Sequence, residues 1–281
     1  MKFERLAEEL NSRTRALEVL LVKNGLKRSA RIATGNEKRF SALIEELGLY
    51  AEFSDYKVRM EFSGMYSTKG TLVGKEEAGH SFAYVALKKE DARLAKQLDA
   101  EQNIAGLGMT LGYPECCIEF FLKHREEELK NRNDYVLPSI ENSKKGKHPF
   151  HLNIFARYFD FALISHAPHS LECSESMRIA KDSMNLLFKE NPVLAMTYQK
   201  VMTGAGIYGP DFVLLLPQAK TETQNGKIII VYDRVFCSPG NHHAGAVMRE
   251  SNAALIEREN GKTAIKVADK KIDVLAVEEF G

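Results

Sequence analysis

Hydrophobic residues recur along this chain with two different periods, and the changes of period divide it. Over residues 2–23, Leu6, Leu10, Leu17, Val19, Leu20 and Leu21 form much of one side of a 3.6-residue repeat. That spacing predicts an amphipathic helix, ended by Asn24-Gly25. A shorter helix is expected over residues 37–46, stopped by Gly48. From Tyr56 to Leu87 the period shortens to two. Val58, Met60 and Phe62 alternate with Lys57, Arg59 and Glu61, and an apolar run at 82–87 follows a glycine-containing stretch, so strands are expected. Helical spacing returns over residues 88–104.

Between residues 106 and 202 helices dominate. Pro114, favoured in a helix's first turn, starts one that reaches about Arg132. After a charged loop at 141–147, a second is expected at 150–164, and after a break at 165–170 a third at 171–189. Beyond Gly209-Pro210 the pattern is that of strands, at 212–216, 227–236, 263–267 and 272–277. The expected fold is α+β in three segments: an N-terminal α/β segment at 1–105, a helical segment at 106–203 and a β-rich segment at 204–281.

Composition narrows the classes without naming one. The 281 residues can bury a sizeable core, and 39 Lys and Arg balance 38 Asp and Glu, so net charge implies neither bulk nucleic acid nor an anionic membrane as partner. The N-terminus carries Glu4, Glu8 and Glu9 where a signal peptide needs an apolar stretch, and the apolar runs fall short of the ~20 residues of a spanning helix. A cytoplasmic protein with reduced thiols is the expectation. Four cysteines in so long a chain do not make a disulfide scaffold.

Their placement carries more. In Leu111-Gly112-Tyr113-Pro114-Glu115-Cys116-Cys117 both cysteines fall in the first turn of the helix that Pro114 starts, where unpaired amides and the helix dipole favour thiolates. Cys117 beside Phe120 and Phe121 also reads as a small core residue. In His166-Ala167-Pro168-His169-Ser170-Leu171-Glu172-Cys173, two imidazoles and a thiol share one short loop, ligands suited to zinc, iron or an iron–sulfur cluster. Cys173 also continues an apolar stripe through Met177, Ala180, Met184 and Leu187. On the otherwise apolar helix expected at 150–164, Asn153, Arg157 and Asp160 form a polar line, which is either solvent-facing or a pocket wall where Arg157 binds an anionic substrate. His148 and His151 are spaced as ligands, a common surface accident.

Leu-Gly-Tyr-Pro-x-Cys-Cys, then Asn153-x-x-x-Arg157, then Ser165-His166-x-Pro168 leading to Cys173 and Ser176, resembles a largely prokaryotic conserved-domain family of unknown function. The resemblance covers about residues 106–180. Family members usually carry a cysteine where this chain has His169, which keeps a ligand for zinc or iron but weakens an all-thiolate cluster. The resemblance implies that Cys116, Cys117, His166, Cys173 and their neighbours act together, and it implies no reaction.

Gly204-Ala205-Gly206-Ile207-Tyr208-Gly209 fits a dinucleotide fingerprint, but helix precedes it and strand follows, the reverse of what that motif needs, so an interdomain turn is expected. Cys237, His242 and His243 are a secondary donor group that joins the site, forms a separate one, or belongs to a turn. The leading expectation is a metal protein, acting as an enzyme on a small molecule, with Cys116, Cys117, His166, His169 and Cys173 as candidate ligands of zinc, non-haem iron or an iron–sulfur cluster, and with Asn153 and Arg157 binding substrate. The alternatives are a non-catalytic binding module with structural cysteines, and a metal-free thiol redox protein.

Overall fold

The single helix expected at the N-terminus is two, α1 (Phe3–Leu10) and α2 (Arg13–Lys23). Asn11 between them has φ 46°, outside the helical region, and Ser12 caps the second by accepting a hydrogen bond from Arg15 N. The Ser12 hydroxyl and the Arg13 and Thr14 amides in turn donate to the Asp160 carboxylate, at 2.7, 2.6 and 3.1 Å. A carboxylate 147 residues away in sequence thus holds the N-terminus of α2. The computed structural model describes residues 3–60, 70–131, 133–225, 227–238, 242–259 and 261–281. Phe62, expected in a strand, and Arg132, expected to end a helix, lie outside these.

The rest of the N-terminal segment is β1 (Ser29–Thr34), α3 (Glu37–Glu46), β2 (Tyr50–Met60), β3 (Gly70–Val73), β4 (His80–Ala86) and α4 (Lys89–Ala100). Its strands form an antiparallel sheet in the order β1-β4-β2-β3. The centre holds α5 (Ile104–Thr110), α6 (Glu115–Asn131), α7 (Val136–Glu141), the short strand β5 (Lys147–His148), α8 (Ser174–Glu190) and α9 (Pro192–Met202).

One expected helix is missing from the centre. Residues 150–164 hold two 3₁₀ turns, Phe150–Leu152 and Ile154–Phe159, and the second ends at Asp160 in the left-handed region at φ 59°. Asn153, Arg157 and Asp160 therefore do not share a helix face, and the expected polar line does not form.

The C-terminal part is strand-rich, as its alternation implied: β6 (Gly204–Tyr208), β7 (Val213–Pro217), β8 (Lys220–Gln224), β9 (Lys227–Val231), β10 (Phe236–Cys237), α10 (His242–Met248), β11 (Ala253–Glu259), β12 (Lys262–Val267), β13 (Lys270–Val274) and β14 (Ala276–Phe280). They make two sheets, β10-β7-β6-β14-β5 and β13-β12-β11-β9-β8. The glycine-rich run at 204–209 is not a turn but contains β6, buried along its length. It reads as a turn in sequence because its glycines serve packing: a Cβ on Gly206 would stand 2.2 Å from the Phe155 ring.

The fold is thus mixed α+β. One buried cluster draws on Leu6 and Leu17, on Ile44, on Leu163 and Tyr198, and on Phe280, so all three sequence segments contribute to it. A second, built from Ile207, Leu214, Ile230, Ile256, Ile265 and Val274, lies with the two C-terminal sheets. Among the described residues no helix is long and apolar enough to cross a membrane.

Candidate metal centre

Two helix N-termini and one loop converge at the centre. The Pro114 carbonyl accepts the Cys117 and Ile118 amides at 3.0 Å, so α6 starts as proline in the first turn implied. Cys116 and Cys117 are its second and third residues, in the first turn, where the helix dipole is positive. Cys173 stands opposite as the N-cap of α8. Its sulfur accepts the Ser176 amide at 3.4 Å, the place usually filled by a serine or aspartate oxygen. Two positive dipole ends therefore face three sulfur atoms, an arrangement that stabilises thiolates.

His169 comes from the loop before α8 rather than from the helix itself. That loop is pinned by α7 and the residues after it: Ser139 Oγ donates to the Pro168 carbonyl at 2.7 Å, Asn142 Nδ2 to the His169 carbonyl at 2.8 Å, and the Leu171 amide donates to Ser143 Oγ at 2.8 Å. The His169 amide donates to Cys117 Sγ at 3.4 Å. These three polar residues, Ser139, Asn142 and Ser143, carry no signal in the sequence, because their partners are set only by the fold.

The donor atoms of Cys116, Cys117, His169 and Cys173 all lie within 4.8 Å of one another. Cys116 Sγ is 4.0 Å from Cys117 Sγ and 3.9 Å from Cys173 Sγ, Cys117 Sγ is 3.7 Å from Cys173 Sγ, and Cys117 Sγ is 3.6 Å from His169 Nδ1. One tetrahedral ion with bonds of about 2.3 Å to sulfur and about 2.0 Å to nitrogen separates its sulfurs by roughly 3.8 Å and a sulfur from a nitrogen by roughly 3.5 Å. The donor set fits a single metal ion in both type and spacing.

Without a metal the thiols share protons unequally. Cys173 is drawn down to about 4, first by the hydrogen bond from Cys117 and then by those of Ser176, against the opposing effect of burial. Cys117 is pushed up by the same shared proton and by burial, and Cys116 is pushed up by burial and by Cys173. Of the three sulfurs, Cys173 is thus the one that gives up its proton most readily.

His166, expected among the ligands, stands outside the group of four. Its Nε2 is 2.8 Å from Ser176 Oγ, which in turn is 3.3 Å from Cys117 Sγ. It reaches the cluster through that hydroxyl rather than by its own nitrogen. Burial, aided by the charges of Lys27 and Arg157, lowers its pKa to about 3, so it is neutral at physiological pH. The Tyr113 ring lies 5.1 Å away, and Lys27, paired in the interior with Glu18, sits 5.1 Å above that same ring.

The remaining expected site residues are placed as follows. Asn153 caps the second 3₁₀ turn, its Oδ1 accepting the Phe155 amide at 3.1 Å while Nδ2 donates to the Met202 carbonyl at 2.7 Å. Arg157 lines, with Asn153 and His166, a cavity of about 10 Å³, the room of one water molecule. His148 is buried with Nδ1 2.7 Å from Glu172 and Nε2 3.0 Å from Glu278, so it ties β5 to the loop before α8 and to β14. His151 stacks on Phe150. Cys237 and His243, on β10 and α10, do not join the group of four. Pro239, Gly240, Asn241 and the His242 side chain lie outside the described residues. No family model, curated protein or solved structure matches the chain.

Proposed function

We propose that this protein binds one zinc ion through Cys116, Cys117, His169 and Cys173, and that the ion is structural, fastening the start of α6 to the start of α8. The observation that carries this reading is the donor group itself: four of its six separations are 3.6–4.0 Å, near the edges of a single-ion tetrahedron, and all lie within 4.8 Å. A four-iron cluster binds each thiolate to a different iron and needs its ligands further apart. Three thiolates and an imidazole fill all four positions of a tetrahedral zinc site, whereas catalytic zinc keeps one position for water or substrate. Asn153, with both amide atoms bonded to backbone, then supports the chain beside the centre rather than a substrate.

The reading extends to the family whose motifs the chain resembles. A cysteine in place of His169 turns three thiolates and an imidazole into four thiolates, a set that also suits structural zinc. Metal analysis of protein purified anaerobically tests it. About one zinc per chain is expected, with content lost in Cys117→Ser and in Cys173→Ser. Iron with acid-labile sulfide, or full zinc content in both variants, contradicts it.

A further inference from the structure

The three sulfurs of the centre are not equivalent. Cys117 and Cys173 are 3% and 4% exposed, whereas Cys116 is only half-buried. Cys117 Sγ takes the His169 amide and faces Ser176 Oγ, and Cys173 Sγ takes the Ser176 amide. Donors aimed at a sulfur withdraw electron density from it and lower its nucleophilicity. Cys116 has sulfur neighbours at 4.0 and 3.9 Å, and of the three cysteines it is the one whose residue keeps solvent exposure. The residues flanking it on the outer side, Glu115 and Glu119, are exposed and acidic, which disfavours anionic reagents and leaves small neutral ones free to approach.

Resting on the zinc reading, we propose that Cys116 is a site of oxidation by a neutral hydroperoxide, and that Cys173 resolves it. In the first step the Cys116 thiolate attacks one peroxide oxygen. The O–O bond breaks, Cys116 becomes a sulfenic acid, and the departing alkoxide or hydroxide takes a proton from water. In the second step the Cys173 thiolate attacks the Cys116 sulfur, the S–S bond forms, and hydroxide leaves and is protonated to water. Two thiolates have lost two electrons and one peroxide has gained them. Cys117 is nearly as close as Cys173, but a bond between adjacent residues is strained, and both cysteines are held in the first turn of α6. Cys173 comes from a separate element and carries no such constraint. The disulfide removes two of four ligands, so the ion leaves.

The test uses the zinc-loaded full chain carrying Cys237→Ser, which removes the one thiol outside the centre. Hydrogen peroxide is added in stoichiometric steps. Released zinc is read with a chromogenic chelator, and disulfides are mapped by mass spectrometry with fragment ions that separate residues 116 and 117. One zinc released per Cys116–Cys173 disulfide, with Cys117 still open to alkylation, is the expected result. A Cys116–Cys117 or Cys117–Cys173 disulfide overturns the assignment, as does retention of zinc and thiols at a tenfold excess of peroxide. A chain that takes up no zinc under reducing conditions overturns the zinc reading, and this assignment with it.

Discussion

The metal centre and the C-terminal sheets are held together by different means. In the sheets, stabilisation is spread over many apolar side chains, each contributing a little: Ile207, Leu214, Ile230 and Ile265 are fully buried and interchangeable in kind. At the centre it is concentrated in four donor atoms from three places in the chain, supported by directed hydrogen bonds donated by Ser139, Asn142 and Ser176 and accepted by Ser143. The first kind of region tolerates loss by degrees. On the proposed zinc reading, the second depends on one event, the binding of an ion.

That contrast makes graded predictions. Stripping zinc should have the largest effect: at free zinc a thousandfold above the dissociation constant, binding adds about 4 kcal/mol to stability. Thermal unfolding with and without a strong chelator measures it, and an unchanged midpoint would break the comparison. Ile265→Ala comes next, with a loss of about 3 kcal/mol for the cavity and the lost burial, and with zinc content unaltered. Denaturant titration together with metal analysis shows whether the two regions are separable in this way. Ser176→Ala should act on the other region alone: it keeps the amide bonded to Cys173 but removes the hydroxyl between Cys117 and His166, weakening zinc affinity roughly 10–100-fold, with little change in the C-terminal sheets. Competition with a chelator of known affinity reads it directly.

The smallest effect concerns His148, which touches both regions. Burial pulls its pKa down, but Glu278 and Glu172 together outweigh that and hold it above the ordinary value. A raised folded-state pKa contributes stability that is complete below the unfolded value near 6.5, and that stability is lost as pH rises through the folded value. The wild-type protein should therefore lose some stability between mildly acidic and alkaline pH, and His148→Gln should flatten that slope. Equal slopes in the two proteins would show that the contact is not protonated.

The regions also differed in how legible they were. Strands β7 and β12 stand out because alternation or an unbroken apolar run is a local property, and the thiols of α6 do because the Pro114 rule is local too. β1 escapes notice: Ser29-Ala30-Arg31-Ile32-Ala33-Thr34 has few strand-forming residues and is made a strand by pairing with β4. Residues 150–164 have the apolar density of a buried helix, but it is broken at Asn153, extended and bonded through its side chain to the Phe155 amide and the Met202 carbonyl, and again at Asp160, whose carboxylate is committed to α2. The same tertiary logic separates the two histidines of the 166–169 loop. Nothing in His-x-x-His tells which ring meets sulfur and which meets the Ser176 hydroxyl.

On the proposed zinc reading, the vicinal placement of Cys116 and Cys117 has a kinetic consequence. Adjacent ligands form a small chelate that an unfolded chain can offer without closing a loop, whereas His169 and Cys173 must be brought back across 52 and 57 residues. Closing such a loop carries an entropic cost that grows only as about (3/2)RT ln n. Zinc captured early by the pair would turn the later arrival of the 169–173 loop into an intramolecular search around a tethered ion. Folding in the presence of metal should then be faster than metal uptake by the already folded apo chain, with the order of addition written into the rate.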